Sequence, residues 1–303
     1  MPVEIPAEFL KVASRGPDWA TWIDGLPRLA RDLLAEWNLQ VDGGSAYGNC
    51  ALVVPVTTAE GQQAVLKVQF PHWEAEPEHL ALRTWDGNGA VKLLRADPRR
   101  YAMLLERLHP QDLTTVGALE ACELIASTYK RLHVPAGPQY RTLSRELKRW
   151  IADFRELPAS APVPHRYVDQ AIGLAEDFAS DPDCDGRLIH TDLHYENVLA
   201  GDREPWLVID PKPLSGDPHY EVAPLLWNRW DEVVASGDLR FTVRQRFYTA
   251  VDAAELDEDR ARDWVIVRQM LNVLWTLHDA GADEVLPQDW LTSNIAIVKA
   301  IQD

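Results

Sequence analysis

The run Leu188-Ile189-His190-Thr191-Asp192-Leu193-His194-Tyr195-Glu196-Asn197, followed by Ile209-Asp210-Pro211-Lys212, constrains this chain more than any other feature. An aspartate, an asparagine five residues on and a second aspartate thirteen residues later form an ordered set of oxygen-bearing side chains. The first carboxylate suits the reception or orientation of a hydroxyl proton. The asparagine and the second aspartate offer the hard oxygens that magnesium prefers. Lone Asp and Asn residues in loops are mostly turn formers, so the weight rests on the whole string and its spacing. Residues 187–190 are predicted as a short strand entering a loop, and residues 198–200 and 206–209 as two more strands with the turn Gly201-Asp202-Arg203-Glu204 between them. A hairpin there returns Asp210 towards Asn197.

The string His190-Thr191-Asp192-Leu193-His194-Tyr195-Glu196-Asn197 resembles the catalytic loop of the aminoglycoside phosphotransferases. The run Ile209-Asp210-Pro211-Lys212-Pro213-Leu214, with Gly216-Asp217-Pro218 close behind, is similar to the streptomycin 6-phosphotransferase and hydroxyurea phosphotransferase branch. The likeness covers nearly the whole chain. It implies a bilobal, protein-kinase-like α+β fold, with a small antiparallel-sheet lobe and a larger, mostly helical lobe. It implies transfer of a nucleotide γ-phosphoryl group to a hydroxyl of a streptomycin-type or related cationic acceptor. Asp192 is then the base or hydroxyl-orienting group, and Asn197 and Asp210 hold Mg²⁺. ATP is the expected donor, with GTP left open, and a metabolite unrelated to antibiotics remains an open acceptor. His190 and Asp217 are expected to brace the loop. Thr191 stands where protein kinases carry an arginine that answers phosphorylation, and Pro211-Lys212 replaces their Phe-Gly. Gly216 follows Asp210 too soon for a long activation segment, so a constitutive small-molecule kinase is expected.

The first part of the chain fits a nucleotide lobe. Trp19, Trp22, Ile23, Leu26, Leu29, Leu33, Leu34 and Trp37 recur at helical steps, with Pro27 expected to divide the run or start a new helix. A Gly-rich stretch over residues 42–49 leads into a predicted strand at 50–57, a turn, and a return strand at 64–69. Gly44 and Ser45 are the candidates for covering phosphates, because glycine lets the backbone approach closely. No Gly-Lys-Ser/Thr follows, so this is not a Walker A loop. Lys67 is a lone cation within an apolar strand. It reads either as an edge guard or as the strand lysine that grips nucleotide phosphates. The second role needs a carboxylate from the next helix; Glu78 beside Pro77 is the choice, with Glu76 in reserve. Further strands are predicted at 90–94 and 101–105. By the resemblance, Glu106 and Leu108 lie in the hinge that meets the nucleotide base. The lobes are expected at 1–108, with a helical extension over 1–40, and at 109–303.

Beyond residue 109 the pattern is helical. One stripe is Leu119, Cys122, Ile125, Ala126, Tyr129 and Leu132; a second is Leu143, Leu147, Trp150, Ile151 and Phe154. A third is Val168, Ala171, Ile172, Ala175 and Phe178, and a late one runs through Trp264, Val267, Met270, Leu271, Leu274 and Trp275. These stripes are core rather than cofactor boxes.

The formal net charge of -17 argues against nonspecific nucleic-acid binding and suits a cationic acceptor, although it also serves solubility. Asp231, Asp279 and the pair Asp283-Glu284 are candidate acceptor carboxylates, with Trp230 or Trp275 as an apolar or cation-π wall. No apolar run of about 18 residues, no signal-peptide pattern and three scattered cysteines predict a cytoplasmic protein without a membrane partner, monomeric or homodimeric. Two rivals stand beside the kinase reading. His190, Asp192 and His194 alternate, and on a strand they would share a face as the metal ligands of a hydrolase. The chain could also be a nucleotide-binding pseudokinase module.

Overall fold

The computed structural model describes residues 3–279 and 288–302, and the chain divides into two compact units. Unit 1 holds residues 1–110 and 200–209, and unit 2 holds residues 111–199 and 210–303.

Unit 1 is an antiparallel sheet with a long helix on one face. Helix α1 (Pro17–Glu36) is followed by β1 (Gln40–Val41), β2 (Ala46–Tyr47), β3 (Ala51–Thr57), β4 (Gln63–Gln69), helix α2 (Glu78–Trp85), β5 (Leu93–Asp97) and β6 (Ala102–Glu106). The strand order is β1-β3-β4-β6-β5, with β2 also on β3. Strand alternation sorts the side chains. Leu52, Val54, Val56, Ala64, Leu66 and Val68 are fully buried in one apolar cluster with Ile23, Leu26 and Leu33 of α1. Lys67, between Leu66 and Val68, must therefore face the other way. Because β4 lies between β3 and β6, opposite Val53 and Met103, Lys67 is no edge guard.

Two expectations are corrected in this unit. Pro27 does not divide the first helix; it lies inside the continuous α1. An internal proline costs about 3 kcal/mol. Burying Ile23, Leu26 and Leu33 on one face returns about 1.5–3 kcal/mol each, which outweighs it. Residues 90–92 do not join the predicted strand. Ala90 bridges Val208 and the Val91 N–H donates to the Val208 carbonyl at 2.8 Å, so the sheet begins only at Leu93.

Unit 2 is mostly helical. Helices α3 (Ala118–Leu132), α4 (Leu143–Arg155) and α5 (His165–Ser180) precede strand β7 (Arg187–Ile189). Strands β8 (Val198–Ala200) and β9 (Trp206–Val208) form the expected hairpin, β9 itself belonging to unit 1, and β10 (Leu214–Gly216) pairs antiparallel with β7. Helices α6 (Pro224–Trp227), α7 (Trp230–Ala235), α8 (Leu239–Ala254), α9 (Glu258–Asp279) and α10 (Gln288–Gln302) follow. The stripes of α3, α4 and α5 are largely buried as their spacing implies, with α4 on α5 and α3 on α8. Leu119, in the first turn of α3, is exposed, and Ile172 of α5 is half-buried. Trp264 of α9 is fully buried, stacked on Phe178 at 4.1 Å between ring centres and edge-on to Tyr220. No helix among the described residues is long and apolar enough to cross a membrane.

Candidate active site

Within unit 1 the strand lysine and the helix glutamate meet. Lys67 Nζ donates to Glu78 Oε1 at 2.7 Å and to Oε2 at 3.0 Å. Glu78 opens α2 directly after Pro77, which fits proline's tolerance at a helix start. The pair is buried, and Gln69 Nε2, two residues along the same strand face, adds a bond to Glu78 Oε2 at 2.5 Å. Glu76 is exposed and accepts from the Tyr101 hydroxyl at 3.4 Å.

Gly44 and Ser45 lie between β1 and β2, and Gly44 is exposed with open space where a Cβ would stand. The Glu106 side chain is engaged within the unit: its Oε1 accepts from the Lys92 N–H and from Arg203 Nη2, both at 2.7 Å. The Glu106 backbone N–H donates to the Lys92 carbonyl at 3.0 Å. Leu108 packs close to Gly201 in the turn between β8 and β9.

In unit 2 the segment after β7 is a loop held at many points. Thr191 adopts φ 67°, a left-handed conformation that is unusual for a β-branched residue. Such a residue persists only where its surroundings over-determine it. Here Glu221, on the 3₁₀ turn Pro218–Val222, accepts from the Thr191 N–H at 2.9 Å and from the His190 N–H. Thr191 Oγ1 donates to the Lys212 carbonyl at 2.7 Å, and Arg268 Nη2 donates to the Thr191 carbonyl at 3.4 Å. His190 is fully buried, and its Nδ1 accepts from the Asp192 N–H at 3.3 Å.

Asp192 is left as the partly exposed group at the tip, in an ion pair with Lys212 through Oδ2. Burial pushes its carboxyl up, but the Lys212 ammonium outweighs this, aided by His194, and holds it below the usual carboxylate value. Asn197 is buried. Its Nδ2 donates to the Asp192 carbonyl at 2.8 Å and lies 3.1 Å from His194 Nε2. With the amide nitrogen so engaged, Oδ1 is the atom free to meet a cation. Asp210 sits at φ 57°, in the left-handed region an aspartate tolerates better than most residues. An amide oxygen and a carboxylate are a donor set suited to Mg²⁺.

Asp217 is buried under this loop region. It accepts from His219 N–H at 3.0 Å, Arg260 Nε at 2.6 Å and Trp264 Nε1 at 2.6 Å. Burial raises its carboxyl, but the His219 bond and the nearby charges win and keep it low.

The alternating His190, Asp192 and His194 do not form the metal set they would on a strand. Strand β7 stops at Ile189 and Thr191 breaks the alternation, so the three side chains share no face. No grouping of three His, Cys, Asp or Glu side chains suited to a metal occurs among the described residues. Trp275 is likewise not an open wall. Arg268 covers it at 4.6 Å, and also lies 5.4 Å from Trp227 and 5.0 Å from Tyr220. Asp231 is exposed and Trp230 half-buried in the first turn of α7; no hydrogen bond, ion pair or ring contact among the described residues joins either to Asp192. The Asp279 side chain and Asp283-Glu284 lie outside the described residues.

Residues 36–280 match the family described as aminoglycoside/hydroxyurea antibiotic resistance kinase. The chain belongs to this family. It is a small-molecule kinase, a phosphotransferase acting on a hydroxyl acceptor. It is 38% identical to a streptomycin 6-kinase of Streptomyces griseus over 99% of this chain and 97% of that one. It is 39% identical to a hydroxyurea phosphotransferase of Kitasatospora aureofaciens over 91% of this chain and 81% of that one. Among solved structures, an amicoumacin kinase bound to AMP-PNP and Ca²⁺ shares 15% identity and a TM-score of 0.62, covering 96% of this chain and 95% of that one. That likeness shows the kinase-like bilobal fold.

The loop's chief support was not legible in the chain. Glu221 looks like any acid on a short polar turn, and Arg268 like any arginine on an amphipathic helix. Their one sequence signal is a charge placed beside apolar neighbours: Glu221 before Val222, and Arg268 directly after Val265-Ile266-Val267.

Proposed function

We propose that this protein transfers the γ-phosphoryl group of ATP to a hydroxyl of a streptomycin-type aminoglycoside. The observation that carries the reading is Asp192, an ionised, partly exposed carboxylate presented at the tip of a loop whose backbone is fixed by buried partners. The acceptor hydroxyl oxygen forms a bond to the γ-phosphorus. The bond from phosphorus to the bridging oxygen breaks, and its electron pair leaves with the nucleoside diphosphate. The hydroxyl proton passes to Asp192.

Asn197 and Asp210 would hold Mg²⁺, which when bound neutralises phosphate charge. Lys67 grips the nucleotide phosphates and Glu78 holds Lys67 in place. Gly44 and Ser45 cover the phosphates, and the backbone around Glu106 and Leu108 meets the base. The acceptor class is supported by the streptomycin 6-kinase that matches nearly the full chain, and by the net charge of -17, which favours a cation. The hydroxyurea phosphotransferase at 39% identity supports hydroxyurea as a second acceptor.

The test is a panel of aminoglycosides, amino alcohols and hydroxyurea with the purified protein, ATP and Mg²⁺, read by nucleotide turnover and product mass. Streptomycin phosphorylation is expected, with a KM that rises with ionic strength as salt screens the acidic surface. Asp192→Ala should remove turnover and leave ATP binding intact. Wild-type-like turnover in that variant would remove the assignment, and turnover of neutral amino-free acceptors alone would remove the acceptor class.

A further inference from the structure

Lys212 is tied to the Asp192 loop at three points. Its backbone N–H donates to the His190 carbonyl at 3.0 Å, its carbonyl accepts from Thr191 Oγ1 at 2.7 Å, and its ammonium pairs with Asp192 Oδ2. The two backbone links fix where the Lys212 Cα stands relative to the carboxylate, so the ion pair is built in and is not a chance surface contact. Both side chains are about a quarter to a third exposed, at 24% for Asp192 and 33% for Lys212, so the pair is partly dehydrated. Its charge is correspondingly less screened than at a free surface. Nothing in phosphoryl transfer itself demands a lysine two residues after the second aspartate.

We propose that Lys212 is a positioning residue of the transfer step, acting through Asp192; this rests on the reading of Asp192 given above. The ammonium holds Oδ2, which fixes the carboxylate plane and leaves Oδ1 to receive the acceptor hydroxyl. It also offsets the repulsion between the carboxylate and the negative phosphoryl group as the hydroxyl oxygen closes on phosphorus. The proton still ends on Asp192, and Lys212 keeps its own throughout. Where protein kinases place Phe-Gly after the metal aspartate, this chain places Pro211-Lys212. A rigid ring and a fixed cation thus occupy the segment.

The test uses the full-length protein with streptomycin as acceptor, and phosphate release from ATP in its absence as a second readout. Lys212→Ala is expected to lower kcat about 100-fold, with the KM values for ATP and streptomycin changed less than about threefold. Lys212→Arg should recover a tenth or more of wild-type kcat, because it restores a cation to the carboxylate, whereas Lys212→Met, of similar length, should not. If Lys212→Ala fails to fold, Lys212→Met decides the matter by the same criteria. A kcat within threefold of wild type in the neutral variants, or a loss confined to the streptomycin KM, would overturn the proposal while leaving Asp192 in its role. Wild-type turnover in Asp192→Ala alone would instead remove the reading beneath it.

Discussion

The Thr191 backbone N–H donates to the Glu221 carboxylate at 2.9 Å, and Glu221 is completely buried. One oxygen, Oε1, serves both Thr191 and His190, while Oε2 has no hydrogen-bond partner among the described residues. Burial pushes the carboxyl up from the ordinary 4.5 to about 7, against the Thr191 and His190 N–H groups and Arg268. The acid that holds the Asp192 loop therefore changes charge near neutrality.

The sign of the pH effect follows from linkage. An acid with a higher pKa folded than unfolded binds more protons in the folded state between the two values. Its contribution to stability is greatest below about 4.5 and is lost as pH rises through about 7. Glu221→Gln keeps an oxygen for the two N–H groups but cannot ionise. Between roughly pH 5 and pH 8 the wild type should lose on the order of 3 kcal/mol relative to this variant. Denaturant midpoints of both proteins across the range measure the difference, and parallel pH curves would contradict it.

Lys67 and Glu78 should behave as one unit. Glu78→Leu takes the glutamate's two bonds from a buried ammonium and should cost about 3–5 kcal/mol, whereas Lys67→Met/Glu78→Leu together should cost much less. Chemical denaturation of the single and double variants gives the coupling, expected at about 2 kcal/mol or more. ATP affinity should fall in both single variants, and more in Lys67→Met. Simple additivity in both stability and affinity would show that the pair is not energetically joined.

Asp217 should be a structural anchor. It takes bonds from His219, Arg260 and Trp264 while nearly fully buried. Asp217→Ala leaves those donors without their acceptor and should destabilise the protein by about 3–5 kcal/mol. Because its folded pKa lies below the ordinary 3.8, its stabilisation is present above that value and is lost as pH falls through the folded pKa. Acid unfolding followed by tryptophan fluorescence should therefore begin at higher pH when Trp264→Phe removes one of those bonds. An unchanged acid midpoint would argue against this role.

Metal dependence provides a separate check on Asn197 and Asp210. Activity should require Mg²⁺ or Mn²⁺, and Asn197→Ala or Asp210→Ala should raise the metal concentration needed by about tenfold or more, by analogy with the loss of other metal-site groups. Mn²⁺ bound in the presence of ATP, followed by electron paramagnetic resonance, reports the site without turnover. Undiminished Mn²⁺ binding in Asp210→Ala would dismiss it as a ligand.

The strand that ends before Asp192, the two strands between Asn197 and Asp210, and the pairing of the strand lysine Lys67 with Glu78 beside Pro77 were legible in the amino-acid sequence. Each depends on local spacing: strand alternation, the start of a helix, a hairpin turn. The stripes of α3, α4 and α5 were legible for the same reason, because a helix buries a face set by its own period. Pro27 was not, since only the burial of residues on both sides of it outweighs the local cost. Nor were Glu221, Arg268 and the reach of Lys212 to Asp192. These are contacts between residues up to 77 apart in the chain, and no local period encodes them. The chemistry of the site is a property of which side chains are present. Which of them are charged, buried and paired depends on how much water the fold removes and which distant backbone groups it brings to them.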